Sequence, residues 1–180
     1  MTDIFAYLII PVYTILFAWN TNWFTTNFSV IGNMEYRNNA FLVWGIMIGL
    51  YFFFILNRIL KWIPSGKKET VLVIISELLL ALAVFTPYLP EQFPFRSFLH
   101  VIFAFLASLI LLASLYLILW ELMRIDEYRF RPYFNVLVLS TAVSAVLLVI
   151  AGIVSSALEI YFTISCVILV RKLDKKLSGN

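Results

Sequence analysis

The chain has 180 residues, of which 63% are hydrophobic, 17% aromatic and 13% charged; its mean hydropathy is +0.97 and its formal net charge +3. A soluble domain is roughly half apolar and a quarter charged, so this composition excludes a water-soluble globule, a disordered segment, a collagen-like rod and a secreted disulfide scaffold. The positive charge is not a nucleic-acid signal, because basic residues in membrane proteins mark cytoplasmic loops.

The expected fold is all-α: a polytopic membrane protein with six transmembrane helices in one bundle, a single domain over residues 1–180, both termini cytoplasmic. A spanning helix needs about 20 mostly apolar residues, and only helices or closed barrels satisfy their backbone in lipid. Barrel strands alternate in polarity, whereas this chain carries unbroken runs such as Val101 to Leu119. The predicted spans cover about 4–19, 40–63, 70–89, 97–122, 132–153 and 157–172.

The first span is expected to be retained. No basic residue precedes its apolar run, and no small-x-small cleavage site follows at Phe17-Ala18-Trp19. The loop from Asn20 to Asn39 is polar, and its Asn27 to Asn33 stretch is rich in turn formers. It reads either as a surface loop or as a short re-entrant piece over a cavity. Ser29 within it is a conceivable nucleophile without a Gly-x-Ser-x-Gly elbow.

The second span carries Gly45 and Gly49, a spacing that lets helices approach closely. In the third, Glu77 shares a helical side with Ala81 and Val84. Charge in hydrocarbon is costly and often functional, so Glu77 reads as a proton, cation or ligand site. The competing reading is a neutral carboxyl hydrogen-bonded inside the bundle. A proline-rich loop, Pro87 to Pro94, leads into the fourth span, where Ala104, Ala107 and Ser108 continue the face of His100. These small residues suggest helix packing or room for a ligand. Glu121 and Arg124 are spaced for an interfacial ion pair. Spans five and six are predicted to form a tight hairpin broken at Gly152 to Ser156, placing Glu159 at the depth of His100.

Eleven of the thirteen Lys and Arg residues fall in the two basic loops and the C-terminal tail; Arg37 and Arg96 are the other two. The positive-inside rule puts that basic side in the cytoplasm. The lone Cys166 excludes an intrachain disulfide, and the lone His100 excludes a multi-histidine metal site. No cofactor is implied, and no phosphate loop or dinucleotide fingerprint is present.

The layout of Ser29-x-x-Gly32 after the first span, the proline-rich loop before Leu99-His100, and Glu159 on the last span resembles DRAM-type six-span membrane proteins and their bacterial relatives of unknown function. The resemblance implies a polar outward-facing pocket concerned with lipids and gives no reaction. Size and topology are also similar to substrate-binding subunits of energy-coupling-factor transporters, although span one reads Ala6-Tyr7-Leu8-Ile9-Ile10 in place of their Ala-x-x-x-Ala motif.

Three functions remain open. The first is a membrane protein that binds, senses or transports a small amphipathic or lipid-like ligand through Ser29, Asn33, Arg96, His100 and Glu159. Arg96 would meet an anionic headgroup, and Glu77 would serve as the intramembrane polar group. The second is a membrane-embedded hydrolase or transferase using His100 and Glu159 with Ser29. The third is an accessory or immunity-type subunit of a larger membrane complex. Expected partners are membrane lipids, an amphipathic ligand and a membrane protein or a second copy, with no nucleic acid.

Overall fold

The computed structural model describes residues 2–34, 36–64 and 66–179. Met1, Glu35, Ser65 and Asn180 lie outside the described residues. The elements are α1 (Thr2–Phe17), α2 (Phe28–Gly32), α3 (Asn38–Leu60), α4 (Lys67–Phe85), α5 (Pro94–Ile125), α6 (Glu127–Ala151) and α7 (Ser156–Ser178). No strand occurs among the described residues.

Three helices, α3, α5 and α6, are long and apolar enough to cross a membrane. Helix α1 is apolar but shorter. The other two carry more charge: α4 opens with Lys67, Lys68 and Glu69 and holds Glu77, while α7 ends in a charged turn from Arg171 to Lys176.

Local chemistry accounts for where the helices bend and stop. Pro11 lacks the N–H needed to bond one turn back, and the preceding segment Phe5–Ile9 adopts a π-helical register. Helix α4 stops at Thr86, which is extended ahead of Pro87. Pro94 sits in the first turn of α5, where its missing N–H costs nothing. Helix α6 begins before the expected span at 132: Asp126 caps it by accepting from Arg129 N–H at 3.0 Å, and Pro132 lies inside the helix. The α6–α7 hairpin turns at Gly152, left-handed with φ 69°, and Ser155 caps α7.

Helices α3, α4, α5, α6 and α7 each pack on the next, and α7 returns to α3, so the five form a ring. Helix α1 lies outside it against α3 and α7. The half nearer the described chain ends is solid. Ile55, Leu56 and Ile59 of α3 meet Leu115, Ile118 and Leu119 of α5, and Val167 and Val170 of α7, all buried. The outer surface is apolar as well: Leu139, Val149 and Ile150 of α6 are exposed. A contiguous apolar surface of this kind is suited to lipid rather than water.

The α3–α4 seam depends on absent side chains. A Cβ on Gly45 would lie 2.3 Å from Val84 Cγ2. Gly45→Val is expected to cost about 1–3 kcal/mol by overpacking, read as a lower unfolding midpoint in detergent. Val84→Ala on the same chain should recover part of that loss; no recovery would place the strain elsewhere.

At the end where the described termini meet, Arg171 Nε donates to Asp3 Oδ1 at 2.8 Å, and Lys175 Nζ to Asp3 Oδ2 at 3.3 Å. Arg171 also pairs with buried Asp174, which Arg58 reaches at 3.3 Å. These pairs lie where α7 continues beyond the expected 157–172 span, and they bind α1, α3 and α7 together. The Arg171 hydrogen bond holds the Asp3 carboxyl below its ordinary range. A carboxyl depressed in the folded state stabilises above its unfolded pKa and loses that contribution as pH falls through the folded value. The protection of the α1 amides, corrected for their intrinsic exchange, is therefore expected to fall on acidification through the carboxylate range, and Asp3→Asn should remove that fall. An acid response unchanged in Asp3→Asn would contradict it.

Candidate functional site

The opposite half of the ring is hollow. A cavity of about 380 Å³ lies between α3, α4, α5, α6 and α7, with α2 over its end.

Helix α2 is a single capped turn. Asn27 Oδ1 accepts from Val30 N–H at 2.9 Å, which sets Ser29 in the first turn. The preceding loop is stitched onto α7: Ser156 N–H donates to Thr26 O at 2.7 Å and Ala157 N–H to Trp23 O at 2.9 Å. Those amides belong to a helix start that has no partners of its own, so the loop and α7 satisfy each other. Glu159 completes the join, its Oε2 accepting from Phe28 N–H at 2.7 Å.

Ser29 Oγ lies 2.6 Å from His100 Nε2, and His100 Nδ1 lies 2.8 Å from Thr86 O. A carbonyl oxygen only accepts, so Nδ1 carries a proton, and in the neutral imidazole Nε2 accepts from the Ser29 hydroxyl. The ring is 1% exposed and is flanked by Phe41 and Tyr88, whose centroids lie 6.1 and 5.5 Å away. Its orientation is thus set by backbone on one side and aromatic rings on two others.

The structure brings Ser29, His100, Glu159 and Glu77 to one cavity. Among the described residues Glu159 makes no hydrogen bond to His100; the two are linked through α2. Glu77 is half-buried and has no hydrogen-bond partner among the described residues. Its Oε2 faces the bare backbone of Gly49, 3.5 Å from where a Cβ would stand. Gly45, Gly49, Ala81 and Phe85 form a groove on the other side of Glu77, so this carboxyl separates the cavity from the groove.

Arg96 and Asn33 do not line the cavity. Arg96 is exposed in the first turn of α5, its guanidinium 5.0 Å from the Phe93 ring centroid. Asn33 is exposed at the C-cap of α2, a turn beyond Ser29. The lining contains Glu77, Glu159 and His100 but no Lys or Arg, so it offers no fixed positive charge to an anionic headgroup.

Two groups that matter were not singled out from the sequence. Thr86 acts through its backbone carbonyl, one of the unpaired acceptors at a helix C-terminus; the signal was Pro87, which ends α4 there. Asn27 acts as a cap, legible in hindsight from its place before Phe28-Ser29. Farther in, Ser144 Oγ is buried on the wall without a hydrogen-bond partner among the described residues. No group of three potential metal-ligating side chains converges among the described residues.

No protein-family model matches this chain, and neither a curated protein nor a solved structure is significantly similar to it.

Proposed function

We propose that the chain is a six-span membrane protein that takes a small amphipathic or lipid-like ligand into this cavity from the outer face, with both termini cytoplasmic. The observation that carries the reading is the shape of the cavity's chemistry. Ser29, His100 and Glu159 gather under α2, while Phe52, Leu111, Leu112 and Leu148 supply apolar wall. A largely apolar concavity with a few convergent polar groups is the common form of a ligand site. The absence of lining bases favours a ligand whose polar end is neutral or cationic. Glu77 offers a second polar contact at the side groove, and Ser144 Oγ a third.

Supporting the six spans, α4 has 19 residues and α7 has 23. At about 1.5 Å per residue these lengths approach or exceed a hydrocarbon core of about 30 Å. In α7 the charges after Arg171 extend the helix beyond that core. In a Cys166→Ser background, Ser178→Cys is expected to react with an impermeant thiol reagent only from the cytoplasmic side, and Glu91→Cys only from outside. Both reacting from one side would break the topology.

Ligand binding is tested by native mass spectrometry of the purified chain. The wild type should retain a bound small molecule or lipid. Ala104→Trp, which fills the cavity from α5, should retain at least tenfold less. Equal retention by both chains would remove the cavity from the function.

A further inference from the structure

We propose that Ser29 and His100 are a nucleophile–base pair that hydrolyses a neutral acyl ester whose hydrocarbon chain lies in the cavity. The inference rests on the ligand-binding reading above and adds a reaction to it.

Three features of the pair go beyond an ordinary structural hydrogen bond. First, the tautomer is fixed in the useful sense. With Nδ1–H committed to Thr86 O at 2.8 Å, the free lone pair is on Nε2, 2.6 Å from Ser29 Oγ. A nucleophile bonded to a base, which is itself oriented by a third group, is the arrangement that activates serine. Here the third group is a backbone carbonyl. Second, both groups line a cavity with room for a substrate, although His100 is otherwise buried. Third, a hydrogen-bond donor stands beside them. Asn27 lines the cavity and spends Oδ1 on Val30 N–H, while its Nδ2 has no partner among the described residues. That amide can donate to the oxygen of a carbonyl held at Ser29, as side-chain amides do in acyl transfer. The lack of a lining Lys or Arg agrees with a neutral ester rather than a phosphate.

The chemistry balances with water as the only co-reactant. Ser29 Oγ bonds to the carbonyl carbon as its proton passes to His100 Nε2, and the carbonyl π pair moves onto oxygen. Collapse breaks the bond to the alcohol oxygen, which takes the proton from Nε2 and leaves. Water then adds to the acyl carbon, giving a proton to Nε2. Collapse releases the carboxylic acid, and Ser29 Oγ recovers the proton. One ester and one water become one acid and one alcohol.

The test is a long-chain alkyl fluorophosphonate applied to the full chain in lipid nanodiscs, read by intact mass and peptide mapping. The expected result is a single adduct on Ser29, with fluoride displaced. Ser29→Ala should give no adduct. His100→Ala should slow labelling at least 100-fold, the usual scale for a general base. Asn27→Ser, which keeps a capping oxygen, should label more slowly than wild type. Ser29 left unmodified in a chain that still retains its ligand, and loses it in Ala104→Trp, would overturn the hydrolase and leave ligand binding standing. Wild-type labelling that proceeds equally fast in His100→Gln would also overturn it. Loss of ligand retention in the wild type is a separate failure, that of the binding reading.

Discussion

Asp174→Leu is expected to destabilise the bundle by about 3–5 kcal/mol, the usual cost of removing one partner from a buried ion pair. Asp174 is 2% exposed, and its carboxylate serves both Arg171 and Arg58. Arg58 has water to fall back on, since nearly half its side chain is exposed. Arg171 is buried and would keep only Asp3. The penalty is mainly that of an uncompensated guanidinium rather than of a lost attraction. Arg171→Leu combined with Asp174→Leu should therefore be more stable than Asp174→Leu alone, because an apolar pair of similar volume replaces the buried charges. Thermal or denaturant unfolding in detergent checks both chains. A double variant less stable than the single one would show that the pair contributes net attraction.

Glu159→Leu is expected to leave the fold in place and weaken ligand retention by up to about tenfold. An ordinary hydrogen bond contributes about 0.5–1.5 kcal/mol, and about 1.4 kcal/mol corresponds to tenfold. The Glu159 carboxylate is the side chain that ties Phe28 N–H, and with it α2, to the ring. Without it, the turn carrying Ser29 keeps the Ser29–His100 hydrogen bond and the loop bonds to α7 from Thr26 and Trp23, but its own backbone N–H at Phe28 is untied. Retention, measured on the native complex, should fall while the unfolding midpoint moves little. Glu159→Gln keeps an acceptor and should lose much less. A Glu159→Leu chain that retains ligand normally would show that α2 is held without the carboxylate.

The apolar runs made the long helices legible, and their charges and prolines made the ends less so. The hairpin at Gly152 was readable because a left-handed turn favours glycine, and the close α3–α4 seam was readable from Gly45. Glu121 and Arg124 pair at 3.2 Å as their spacing indicates. Helix α7 runs past residue 172 because Arg171, Asp174 and Lys175 find partners on α1 and α3, which local sequence does not reveal. The sequence placed His100 and Glu159 near the same ends of their helical runs and Ser29 on the loop between the first two runs, and the structure puts all three on one cavity. Arg96 and Asn33 lie near the same end of the bundle yet are exposed, because helix phase at a terminus is decided by packing. Arg96 settles over Phe93 instead. The orienting role of Thr86 lies in a main-chain carbonyl, which residue identity cannot announce.

The most direct measurement is an experimental structure of the chain in lipid nanodiscs, read for density inside the ring. Ligand binding requires elongated density in the cavity inside the ring, with one end within hydrogen-bond reach of Ser29 Oγ or Glu159. A cavity closed by packed side chains, with Ser29 and His100 sealed from any solute, would contradict it.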